Sequence, residues 1–400
     1  MADPALERIR VYFDERLLAY DTGSGFFEHP PHELLCVAEK HPENGDRVRN
    51  MHSVCLKGPI GARLLASCCC VRLTSRAAAP LLDWQTCLRE ATVAELAATH
   101  DTAYLESLQA ASVTGKRFGA STVLPQGGWT CVALAGGAAL DAADAVLNEV
   151  TRLAFCLVRP PGHHAARASC DGYCLVNNAA VAANRATAAG HRVAILDFDV
   201  HHGNGTQSIF YDRSDVLCVS LHMNHGAWDE GLPHPETGAA DEVGVGPGVG
   251  FNLNVPLDFG VGDSGYMRVF DALVVPAVDE FKPTFVVVAC GVDGSQMDPN
   301  GRQVLTTKGF FELGRACRKL ADKHASGRIV TTLEGGYHIS YAALCVHAVL
   351  AVRPFHAIVV LISRTFVFAG HRWNVVSCDT RPTCWNIPGP AVARPDQRTN

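Results

Sequence analysis

The chain has 400 residues, 48% of them hydrophobic and 18% charged, which suits one large α/β domain or two smaller ones and excludes a disordered or fibrous chain. The net charge of −6 leaves no basic footprint for a phosphate backbone, so direct nucleic-acid binding is not expected and cationic partners are mildly favoured. Sixteen cysteines are scattered through the chain without a CxxC pair, which reads as reduced intracellular thiols and excludes a four-cysteine zinc module.

The N-terminal "MADPALERIR" carries no apolar signal region, and no membrane association is expected. The first unusual stretch is 61–80, "GARLLASCCCVRLTSRAAAP", which interrupts a helical region without a clear period. From about residue 150 apolar runs alternate with helical stretches. Strands are expected at 153–158, 192–197, 216–221, 284–290 and 328–333, and helices at 177–189, 264–280, 307–324 and 339–350. Continuous Val/Ile-rich strands separated by helices predict a parallel sheet covered on both faces. The glycine-rich "GVGPGVG" at 244–250 contains Pro247 and reads as a loop, not a phosphate cradle. Beyond about residue 350 the tail holds "HAIVVLISRTFVFAG", too short and too interrupted by Arg364 for a membrane span. Neither 61–80 nor 351–400 has a derivable role.

Chemistry gathers behind four of the expected strands. The first is followed by "RPPGHHA" with His163 and His164, the second by Asp199 and His201, the fourth by Asp293, and the last by "EGGYH" with Tyr337. In open α/β sheets ligand crevices form at that edge. A lone histidine or aspartate in so long a chain is more often structural, and "GGY" alone is a turn; the convergence is what carries the argument. Asp199 and His201, two apart in extended chain, face one side and with Asp293 make the three-ligand set of a catalytic zinc with an open position. The paired histidines can serve as base and acid, with Asp197 or Asn204 fixing their tautomers. Tyr337, after two glycines, can donate to a developing oxyanion. The set describes metal-assisted amide hydrolysis.

The stretches "EKHPENGDRVRNM", "RPPGHHA", "DGYCLVNNAAVAA", "LDFDVHHGNGTQ", "SLH", "GVDGSQMDP" and "EGGY" resemble the zinc-dependent histone deacetylases, most of all plant members and the class II branch. The resemblance implies an arginase/deacetylase-like single domain over 1–350, with a central parallel sheet of about eight strands and helices on both faces. The 61–80 segment is then an atypical insertion and 351–400 an atypical tail. It implies one zinc on Asp199, His201 and Asp293, with His164 as general base and His163 as its electrostatic or acidic partner. Tyr337 would polarise the acetyl carbonyl, and Asp197 and Asn204 would back the two histidines. Gly172, Tyr173, Asn300, Gly335 and Gly336 would line the acyl-lysine tunnel. A structural potassium ion near Asp197, Asp199, His201, Ser220 and Leu221 is also implied. The related arginases bridge a second metal with carboxylates where this chain has Gly203 and Ser295, which disfavours a two-manganese site.

The implied activity is hydrolysis of N6-acetyl-lysine in proteins, in the nucleus or cytoplasm, with acetylated proteins or peptides as partners. Asn300, where the family commonly has an apolar residue, opens the alternative of an acetylpolyamine amidohydrolase. The insertion and tail keep a third reading, a catalytically weak acetyl-lysine-binding scaffold. Oligomeric state is not specified by any of these features.

Overall fold

The structure, a computed structural model, describes residues 8–25, 39–58, 60, 81–118, 121–224 and 237–352. Segment 61–80, the tail beyond Val352, and His225, Trp228 and His234 lie outside the described residues.

Ten strands are described: β1 (Ile9–Tyr12), β2 (Leu82–Gln85), β3 (Lys116–Phe118), β4 (Thr122–Leu124), β5 (Leu153–Cys156), β6 (Val193–Asp197), β7 (Val216–Met223), β8 (Asn252–Leu257), β9 (Phe285–Cys290) and β10 (Ile329–Leu333). Eight form one sheet in the order β2-β1-β5-β10-β9-β6-β7-β8, every pair parallel. β3 and β4 form a separate antiparallel hairpin. The central strands are apolar along their whole length because both faces are covered: every residue of β6, β7 and β9 is buried. Helices Trp129–Leu147 and Asn178–Ala188 contribute alanine-rich faces to the principal core cluster. Trp129–Leu147 is long and apolar enough to cross a membrane by composition, and in this fold it is mostly buried.

The expected strands and helices after residue 150 are present, with ends shifted by a few residues. One differs in kind. The helix expected over 264–280 runs as Asp263–Val269, a π-helical turn Phe270–Val274, then Val275–Phe281. Pro276 has no N–H to give the preceding turn, and its ring crowds the carbonyl four residues back; the wider turn absorbs the mismatch. "GVGPGVG" is a loop with a short 3-10 turn at Gly246–Gly248.

Helix Tyr341–Leu350 carries a buried histidine, His347, whose Nε2 faces Gly58 and has no hydrogen-bond partner. Burial pushes its pKa down to about 4. The unfolded chain therefore takes up this proton first as pH falls below about 6.5, and stability is lost over the window from there to about 4. Replacing His347 with leucine should make the protein more stable at low pH. The gap over wild type should grow by about 2 kcal/mol between pH 7.5 and pH 5 in denaturant titrations. A gap independent of pH would show that His347 is not held neutral.

Candidate metal-dependent hydrolase site

The four chemistry-bearing loops leave β5, β10, β9 and β6, which are consecutive neighbours in the middle of the sheet. Their C-terminal ends therefore deliver His163 and His164, Tyr337, Asp293, and Asp197 through His201 to one place.

Asp199, His201 and Asp293 bring one ligand atom each to within 4.8 Å of one another. His201 Nδ1 lies 3.2 Å from Asp199 Oδ1 and 3.0 Å from Asp293 Oδ2. Ligands about 2.0 Å from a tetrahedral centre stand about 3.3 Å apart, so the spacing fits a zinc ion. Backbone amides hold the carboxylates in place: Gly335 N donates to Asp199 Oδ2 at 2.8 Å, and Val200 N to Asp293 Oδ1 at 2.9 Å. Gly335 has to be glycine, since a Cβ there would come within 2.1 Å of Asp293 Oδ2 and 2.6 Å of Asp199 Oδ2.

The electrostatics fit a cation. Burial disfavours charge on His201, but Asp199 and Asp293 overcome it and lift its pKa to about 10. Burial and the neighbouring Asp199 push Asp293 up to about 7. Burial also acts against charge on Asp199, yet His163 and His201 hold it well below the usual carboxylate range. Two buried carboxylates thus share one proton-bearing imidazole, and a divalent ion would take the place of that proton. A second group, His163, Cys174 and Glu334, also has ligand atoms within range of one another. Its donors are engaged elsewhere: Glu334 Oε2 accepts from Gly162 N and His163 N, Glu334 Oε1 from Thr332 Oγ1, and His163 Nδ1 faces Asp197.

The paired imidazoles stand with centroids 4.0 Å apart. His163 Nδ1 is 2.9 Å from Asp197 Oδ2, and His164 Nδ1 is 2.7 Å from Asn204 Oδ1. Burial opposes charging of His163, but Asp199 and Asp197 prevail and raise its pKa well above the ordinary histidine value. Tyr173 and Tyr337 meet edge to face at 5.6 Å, and the Asn300 amide donates to the Tyr173 hydroxyl at 3.4 Å. Asn300 is buried, and its Oδ1 has no partner. Gly172 lies against His164, and Gly336 offers its carbonyl to Arg47 at 2.8 Å.

Residue-by-residue reading missed several supports. Asp298 stands in an Asp-Pro pair of the kind that starts turns, yet its carboxylate accepts from the backbone amides of Tyr337 at 2.6 Å, His338 at 3.3 Å and Asn300 at 2.9 Å. Burial pushes its pKa up to about 6. Arg47 is fully buried; it donates to the carbonyls of Gly336 and Glu334, pairs with Glu43 at 3.3 Å and lies 5.1 Å over the Tyr337 ring. Gly203 leaves no room for a bridging carboxylate, because even a Cβ would come within 2.5 Å of Asp197 Oδ2.

The histone deacetylase domain matches residues 41–353. The chain belongs to the histone deacetylase family. Histone deacetylase 8 of Arabidopsis thaliana is 45% identical over 349 residues, 86% of this chain and 87% of that one. The human polyamine deacetylase HDAC10 is 38% identical over 275 residues, 65% of this chain and 40% of that one. Among solved structures, the HDA15 HD domain superposes with a TM-score of 0.72 at 33% identity, covering 86% of this chain and 88% of that one. Membership of this deacetylase family supports a hydrolase acting on acetylated substrates.

Proposed function

We propose that the protein hydrolyses the acetyl amide of N6-acetyl-lysine in proteins, releasing acetate, with one zinc ion on Asp199, His201 and Asp293. The observation that carries this is the Asp199–His201–Asp293 triangle beside two imidazoles, each tied at Nδ1 to a side-chain acceptor. Bound there, zinc supplies Lewis-acid polarisation of a carbonyl oxygen and lowers the pKa of water.

The remaining chemistry belongs to this chain. The acyl-lysine chain runs past Gly172 and Tyr173, the turn that packs on His164. His164, with Nδ1 engaged by Asn204, accepts a proton at Nε2 from the water that adds to the acetyl carbon. His163, held charged by its carboxylate neighbours, stabilises the developing negative charge. The C–N bond then breaks and the proton passes to the leaving lysine amine. Burial keeps the Tyr337 phenol protonated, so it acts as a hydrogen-bond donor to the former carbonyl oxygen.

Tyr337→Phe should keep its zinc and fold yet lower kcat roughly 10²-fold or more, the usual cost of losing an oxyanion donor. Zinc content and turnover of an acetyl-lysine peptide, measured on both proteins, check this. An unchanged kcat, or wild-type protein that binds no zinc, would overturn the reading.

Asn300 favours a second substrate reading, acetylpolyamine. It places a buried amide against the tunnel residue Tyr173, and the human relative named above is a polyamine deacetylase. The amide can accept and donate without the strong pull of a carboxylate on a second ammonium. Asn300→Leu should modestly raise kcat/KM for acetyl-lysine peptides and lower it for acetylspermidine, and Asn300→Glu should do the reverse. If neither ratio moves, Asn300 does not contact substrate.

A further inference from the structure

The two histidines differ in the kind of partner each has. His163 Nδ1 faces a carboxylate, which only accepts, so Nδ1 carries hydrogen however that group turns. His164 Nδ1 faces the amide of Asn204, which can present either its oxygen or its NH2. With NH2 toward the ring, Nδ1 would have to accept and the hydrogen would move to Nε2. No lone pair would then remain on the edge away from Asn204. The amide therefore needs a second contact that selects one orientation.

Asp171 supplies that contact. Its Oδ2 accepts from Asn204 Nδ2 at 3.2 Å, and a carboxylate acceptor leaves the amide oxygen for His164. We propose that Asp171 is a positioning residue that, through Asn204, sets the His164 tautomer, keeping hydrogen on Nδ1 and the lone pair on Nε2. This rests on the deacetylase reading above, in which His164 is the proton acceptor.

The local chain is built to hold the Asp171 carboxylate still. Asp171 Oδ1 accepts from Gly172 N at 2.9 Å. The backbones of Asp171 and Cys174 exchange hydrogen bonds of 3.2 and 2.6 Å across a tight turn. Gly172 and Tyr173 occupy its centre with φ of 47° and 71°. Gly172 also packs on the imidazole itself, since a Cβ there would come within 2.3 Å of His164 Cδ2. One turn thus orients the amide behind the base, seats the ring and sets the Tyr173 wall, which is braced in addition by Tyr173 N donating to Thr122 Oγ1 at 3.0 Å.

The test uses the full chain labelled with 15N-histidine. Long-range 1H–15N correlations report the His164 tautomer, and the His164→Ala spectrum assigns it. Wild type should show hydrogen on Nδ1. Asp171→Asn keeps the shape but can donate to Asn204 as readily as accept from it. It should shift His164 toward the Nε2–H tautomer and lower kcat about 10–100-fold, with KM within about twofold. The exchange variant Asp171→Asn/Asn204→Asp puts the carboxylate directly behind His164; it should restore the Nδ1–H signature and recover most of the lost kcat. A raised KM with an unchanged tautomer and no recovery in the exchange variant would make Asp171 a substrate-contacting rim residue and overturn the proposal. If wild type turns over neither acetyl-lysine peptide nor acetylspermidine, the functional reading fails, while the tautomer comparison still decides the role of Asp171.

Discussion

Asp293→Asn should abolish zinc binding and turnover together while leaving the fold intact. Asp293 is fully buried, with Oδ1 accepting from Val200 N and Oδ2 facing His201 Nδ1. Asparagine keeps that volume but removes a charged ligand, leaving Asp199 and His201 to hold the ion. Without zinc, the substitution also removes one of two carboxylates that repel each other in a buried site. An uncompensated carboxyl there costs on the order of a few kcal/mol at neutral pH. The metal-free variant should therefore melt no lower than metal-free wild type. Added zinc should raise the wild-type Tm, since the ion binds the folded chain, and should leave the variant where it was. Full zinc occupancy in Asp293→Asn would remove this residue from the ligand set, and two manganese ions per wild-type chain would replace the mechanism altogether.

The site was legible where a reactive pair stood directly behind an apolar run. His163–His164, Asp199–His201, Asp293 and Tyr337 all follow short strands of apolar and β-branched residues, from Leu153–Cys156 to Ile329–Leu333. Sequence does not display which strands are neighbours, and the sheet order is what turns four separate loops into one site. Residues whose partners lie far along the chain were not legible either. Arg47 reads as an ordinary solvent-facing helix residue, yet it is fully buried because Glu43 and the carbonyls of Glu334 and Gly336 satisfy it. Asp298 was hidden in the same way by its backbone partners at Tyr337 and His338. β8 was missed because Asn252 and Asn254 look like loop residues. Both are buried and donate to Gln207 Oε1 at 2.9 and 2.8 Å, on an edge strand that tolerates Pro256.

His164→Ala should lower kcat by roughly 10²–10⁴-fold, the usual contribution of a general base, with zinc content unchanged. His163→Ala should cost less, because carboxylates flank the His163 ring whereas Nδ1 of His164 faces an amide. His163 lies between Asp197 at 2.9 Å and Asp199 at 3.7 Å, and those carboxylates keep it protonated despite its burial. A ring that already holds its proton cannot take one from water, but its charge can stabilise the negative charge that develops on the acetyl group. His164 Nδ1 faces the Asn204 amide oxygen, which keeps hydrogen on Nδ1 and gives Nε2 the proton-accepting role in this reading. The double variant should be only slightly slower than His164→Ala, since both rings act on the same water-addition step, one by taking the proton and one by its charge, and their losses do not add. Single-turnover rates on an acetyl-lysine peptide, with zinc measured on the same samples, separate the two roles. A far larger loss in His163→Ala than in His164→Ala would assign the base to His163, and the carboxylates around it would then be there to raise its basicity rather than to hold its charge.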